Sequence, residues 1–107
     1  MHYKPNVSEK ELIEAISSLK NVEECQKFLR DLLTEAELKE FANRWKVAQM
    51  LDQKIAYKEI EKQTNMSSTT IARIQKWLTN GMGGYVLMLK KVNRSVNHHA
   101  ALPSRAV

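Results

Sequence analysis

Six residues between Ser67 and Lys76 have side chains suited to gripping a polyanion. Ser67, Ser68, Thr69 and Thr70 supply four hydroxyls in a row, and Arg73 and Lys76 follow at helical spacing. No carboxylate occurs from Thr64 to Leu78, although 27% of the chain is charged. Hydroxyls and cations bond phosphate oxygens and base edges, whereas a carboxylate is repelled by phosphate. Lys58, just upstream, is a further candidate contact. This is the chemistry of holding a polyanion, double-stranded DNA among the candidates, rather than of breaking a bond.

The charge distribution points the same way. The formal charge of +5 divides into −2 over residues 1–52, +3 over residues 53–89, and four basic groups with no acid over residues 90–107. Such asymmetry suits a polyanionic partner, although charge that serves only solubility remains open. Other chemistries find little support. His98 and His99 are adjacent, a poor geometry for chelation, so no metal site is expected. "GMGG" at Gly81–Gly84 lacks the Lys-Ser/Thr of a phosphate loop. No Ser/His/Asp or Cys/His set is placed by a motif, and Glu9, Glu11, Glu14, Glu35, Glu37 and Glu40 read as cap and solvent-face residues. The chain is therefore read as a non-enzyme without a cofactor. Cys25 stands alone among apolar neighbours and reads as a buried small hydrophobe. There is no signal-peptide pattern, and the longest apolar run, "YVLML", is far too short to span a bilayer. A soluble, cytoplasmic protein is expected.

These residues need elements to hold them, and the chain reads as all-α. At 107 residues and 43% apolar content, a single domain is expected. "SEKE" at Ser8–Glu11 and "TEAE" at Thr34–Glu37 fit the capping box, Asn21 with Glu24 makes a similar start, and Ser67 or Ser68 offers another N-cap. Leu12, Ile13, Ile16 and Leu19 mark a first helix. Cys25, Phe28, Leu29, Leu32 and Leu33 mark a second. A third runs from Glu35 to Asp52, apolar nearly all round, and should be the most buried. Ile55, Ile60 and Tyr57 indicate a short fourth helix, and Ile71, Ile74, Trp77 and Leu78 a fifth. "YVLMLKKV" forms a last short helix. Residues 94–107 read as a flexible basic tail beyond a DNA-binding domain of residues 1–93. Trp45 and Trp77 sit at helical spacing from other apolar groups, which favours core packing over base stacking.

Ile60, Met66, Ile71 and Ile74 have the spacing of a helix-turn-helix. In that arrangement Ser68, Thr69, Thr70, Ala72, Arg73 and Lys76 fall on the outer face or leading end of the second helix, the part that enters the major groove. Glu61 and Asn65 occupy places where such units often have a small residue and glycine. Asn tolerates the left-handed conformation, so the turn remains feasible.

"FLRDLLTEAELKEFANRWKVAQML" followed by "YKEIEKQTNMSSTTIARIQKWL" resembles the Trp repressor, and more closely its small bacterial relatives, the Trp-repressor-like YerC/YecD family. The likeness runs from about Val22 to Val92. It implies an intertwined all-helical homodimer presenting two reader heads to operator DNA, and so a sequence-specific transcription regulator. It also implies that Thr34, Arg44 and Arg73 match positions that hold tryptophan in the Trp repressor. Ile74, however, stands where the repressor has a glycine that makes room for the indole, and Trp77 where it has a serine that helps hold the amine. The expectation is therefore no tryptophan binding, or binding of a different ligand only, with Ile74 and Trp77 read as built-in filler and no small-molecule effector identified. Surface charge is the plain alternative for Arg44 and Arg73. For the whole chain the alternative is a basic helical module that docks on an acidic protein partner of the transcription machinery.

Overall fold

A computed structural model describes residues 3–99, with side chains through residue 93. Six helices and no strand occur among the described residues. They are α1 (Val7–Ser17), α2 (Val22–Leu32), α3 (Glu35–Asp52), α4 (Tyr57–Thr64), α5 (Ser68–Asn80) and α6 (Gly84–His99). The chain falls into two compact units that divide between Ala42 and Asn43, inside α3.

In the first unit, each helix start is written by an Asn or Thr with a Glu three residues on. The Asn6 side chain accepts from the Glu9 amide and Glu9 accepts from the Asn6 amide, both at 2.8 Å. Thr34 and Glu37 exchange the same pair of bonds at 2.9 and 3.1 Å. Asn21 accepts from the Glu24 amide at 2.9 Å, but Glu24 reaches back to Lys20 rather than to Asn21. The box expected at Ser8–Glu11 thus forms two residues earlier. Asn is at least as good a cap as Ser, and the earlier start adds the helical bond from the Lys10 amide to the Asn6 carbonyl.

No residue from Tyr3 to Ala42 is buried. Leu12, Ile13 and Ile16 of α1, Val22 and Leu32 of α2, and Phe41 of α3 are all exposed. Cys25, expected to be buried, is only half-buried. The expected burial of α3 likewise holds only for its C-terminal half, because Phe41 remains 49% exposed. The apolar stripes of these helices are present but only partly covered, with Phe28, Leu29, Leu33 and Leu38 half-buried.

The second unit has a core. Val47, Ala48, Met50 and Leu51 of α3 pack with Ile60 of α4 and with Ile71 and Ile74 of α5. Leu89 of α6 is also buried. Between α3 and α4 the chain reverses at Lys54, which has φ 65°. The Lys54 amide bonds the Leu51 carbonyl and the Ile55 amide bonds the Met50 carbonyl, both at 3.0 Å. This pair of bonds is a Schellman motif, which satisfies carbonyls that the helix end would leave open. The helical backbone of α6 continues through Asn93–His99, where the sequence pattern suggested a tail. The rest of that tail, residues 100–107, lies outside the described residues.

Candidate nucleic-acid interface

Two short helices and a tight turn position the hydroxyl run. Ile60, Ile71 and Ile74 are fully buried, and Met66 in the turn packs against them. Asn65 ends α4 in the left-handed conformation, φ 60° and ψ 20°, with its amide bonded to the Glu61 carbonyl at 2.8 Å. Asn is among the few non-glycine residues that adopt this conformation readily. Thr64 stiffens the turn: its hydroxyl donates to the Ile60 carbonyl at 2.7 Å and accepts from the Met66 amide at 3.3 Å. Thr64 is buried, and the sequence reading assigned it no role.

Within the hydroxyl run the four residues separate into two pairs. Ser67 caps α5, accepting from the Thr70 amide at 3.2 Å, and its hydroxyl lies 3.0 Å from that of Thr70. Ser67 is exposed and Thr70 half-buried. Ser68 and Thr69 are exposed, and among the described residues no hydrogen bond engages either side chain. The signal for this division was available in the Ser-x-x-Thr spacing, since an N-cap hydroxyl bonds the amide three residues on.

At about 100° per residue, Ile71, Ile74 and Leu78 mark the inward side of α5. On the opposite side the exposed residues run round the helix in the order Ala72, Lys76, Thr69 and Arg73. No ion pair engages Arg73 or Lys76 among the described residues. Lys58 is exposed on α4, as is Lys62, which the sequence reading did not single out. The first turn of α5 contains no acidic residue. A helix end of this kind presents hydroxyls, free cations and no repelling carboxylate.

The five residues read as pocket-like are placed differently from one another. Thr34 belongs to the first unit, where its side chain caps α3. Arg44, Arg73, Ile74 and Trp77 belong to the second. Ile74 is part of the core and Trp77 packs against it. Gly81 ends α5 beneath Trp77, with its amide bonded to the Trp77 carbonyl at 3.0 Å. A Cβ on Gly81 would collide with that same carbonyl.

Trp45 also packs against the core, and its ring stacks on Tyr85 of α6. Burial pushes the Tyr85 phenol above its usual range, with the nearby Arg44 guanidinium partly opposing the rise. Among the described residues no group of His, Cys, Asp and Glu could hold a metal ion. No helix there is long and apolar enough to cross a membrane.

Known proteins share this arrangement of helices. A family model described as Trp repressor protein matches residues 8–93. The uncharacterized protein YerC of Bacillus subtilis (strain 168) is 38% identical over 85 residues, which is 79% of this chain and 82% of that protein. The crystal structure of a TrpR-like protein from Eubacterium eligens ATCC 27750 superposes with a TM-score of 0.77 at 31% identity, covering 82% of this chain and 91% of that one. A Staphylococcus aureus protein provisionally assigned as a Trp repressor also gives 0.77, at 35% identity, covering 83% and 89% respectively.

Proposed function

Because the chain belongs to the Trp repressor protein family, we propose that it is a DNA-binding transcription regulator that reads duplex DNA through a helix-turn-helix of α4 and α5. The observation that carries this reading is the outer face of α5, where Thr69, Ala72, Arg73 and Lys76 are exposed together with no acidic neighbour in the first turn. In the major groove the short residues let the helix approach base edges, while the two cations reach phosphates and release their counterions. Ser67, Ser68 and Thr70 form the leading end, and Lys58 supplies a further cation from α4.

The regulator acts as a homodimer. Supporting this, the first unit buries none of its described residues and leaves Leu12, Ile13, Ile16, Leu32 and Phe41 exposed. Isolated helices of this length are marginal in water and take their stability from packing. A second copy related by a two-fold axis can cover these faces reciprocally and set two readers about 34 Å apart, one turn of DNA. Tryptophan is not the corepressor. The burial of Ile74 and the packing of Trp77 on the core support reading the two as filler in place of an indole, since a close-packed interior does not absorb extra volume without strain.

Selection of duplexes from a random pool by the full-length protein tests the reading. It predicts enrichment of a two-fold-related sequence. Recovery of no preferred duplex would favour a basic module that docks on an acidic protein instead.

A further inference from the structure

The hydroxyl run divides in two: Ser67 and Thr70 bond each other, whereas Ser68 and Thr69 are exposed and, among the described residues, uncommitted. We propose that Thr69 and Ala72 form the base-reading centre of α5 and select a thymine through its C5-methyl group, whereas Ser67 and Thr70 hold the helix start and carry no sequence information. This inference rests on the DNA-binding reading above and deepens it.

Hydrogen bonding separates the pairs. The hydroxyls of Ser67 and Thr70 lie 3.0 Å apart, and Ser67 also accepts from the Thr70 amide at 3.2 Å. A hydroxyl engaged in its own helix cap is a poor base reader, because turning to a base edge would uncap the helix. Thr69 carries no such duty and is exposed. It lies on the side of α5 opposite the buried Ile71 and Ile74, next to the exposed Ala72.

Side-chain chemistry then narrows the target. From Ser68 to Lys76 the exposed arc of α5 holds Thr69, Ala72, Arg73 and Lys76 and no Asn, Gln, Asp or Glu. The Asn and Gln forks that distinguish adenine are therefore absent, and with Arg73 and Lys76 assigned to phosphates the base edges are left to the Thr69–Ala72 pair. What it offers is the Ala72 methyl, the Thr69 methyl and one uncommitted hydroxyl. In the major groove the thymine methyl is the base-edge group read by apolar contact, and its neighbouring O4 accepts from a hydroxyl. Both residues are short, so the helix backbone can come close enough for methyl groups to touch.

The test uses the full-length protein and the duplex it selects from a random pool. Each thymine is replaced in turn by deoxyuridine, which removes only the methyl. One replacement per half-site should weaken binding about three- to tenfold, the loss expected for one methyl contact. Thr69→Ser keeps the hydroxyl and the fold while deleting the protein methyl, so it should weaken binding to the thymine duplex and shrink the deoxyuridine penalty toward none. Ser67→Ala should lower Tm yet select the same sequence, and Ser67→Asn, which restores a cap, should recover Tm. A selected duplex indifferent to every deoxyuridine replacement would overturn the thymine contact while leaving the regulator reading intact. An undiminished penalty in Thr69→Ser, or a changed preference in Ser67→Ala, would do the same. Failure to select any duplex would overturn both.

Discussion

Trp45 of α3 and Tyr85 of α6 stack nearly parallel, with ring centroids 6.4 Å apart and planes inclined by 13°. The pair ties α6 to the half of α3 that forms the core floor beneath α5. Stacked aromatic pairs contribute about 0.5–1.5 kcal/mol beyond the area they bury. Tyr85→Ala should therefore lower unfolding free energy by about 1–2 kcal/mol in denaturant melts. Tyr85→Phe, which keeps the ring, should stay close to the parent.

The same residue gives a pH dependence. Burial raises the Tyr85 phenol above its unfolded value, and Arg44 only partly offsets this. The neutral phenol is thus favoured in the folded state. Its contribution is complete below the unfolded pKa of about 10 and is lost as pH rises from there through the folded value. Melts between about pH 8 and pH 11 should show falling stability, and Tyr85→Phe should fall less steeply. Equal slopes would remove Tyr85 from the account.

The pair of short helices, α4 and α5, was the most legible part of the chain. The run Ile60, Met66, Ile71 and Ile74 is dictated by burial on two short helices, and such periodicity survives in sequence. Asn65 in the turn and Ser67 at the cap were legible for a similar reason, because few residue types suit those places. Less legible was where the pattern would be left uncovered. Leu12, Ile16, Cys25 and Phe41 have core-like spacing, yet they are exposed or half-buried in one chain. Periodicity reveals that a face is apolar but not which molecule covers it. The start of α1 moved from Ser8 to Asn6 because both fit the same cap chemistry. The helical stretch Asn93–His99 lacks an apolar stripe that would have announced it.

Ile74 is fully buried, and the filler role proposed for it has a thermodynamic signature. Ile74→Ala should cost about 2–4 kcal/mol, the usual range for emptying a core site of this size. Calorimetric titration of the parent with tryptophan should give no saturable heat. A micromolar, saturable response would mean that the space is available after all.

The exposed stripe of α1 should behave as an interface. Ile13→Glu or Ile16→Glu places a charge on a face that a second copy would bury, where an unpaired charge is strongly unfavourable. In sedimentation velocity the parent should run as a dimer and these variants as partly unfolded monomers. An unchanged sedimentation coefficient with unchanged helicity would contradict a role for this face in self-association.

Paired titrations of the selected duplex and a scrambled duplex, each over a range of salt concentrations, test DNA reading most directly. The selected duplex should bind at least on the order of a thousandfold tighter at physiological salt, with affinity falling linearly on a log–log plot as salt rises. Arg73→Ala or Lys76→Ala should each weaken binding, and loss of a phosphate contact should reduce the slope by about one. Equal affinity for the two duplexes, or affinity indifferent to salt and to both substitutions, would contradict the account.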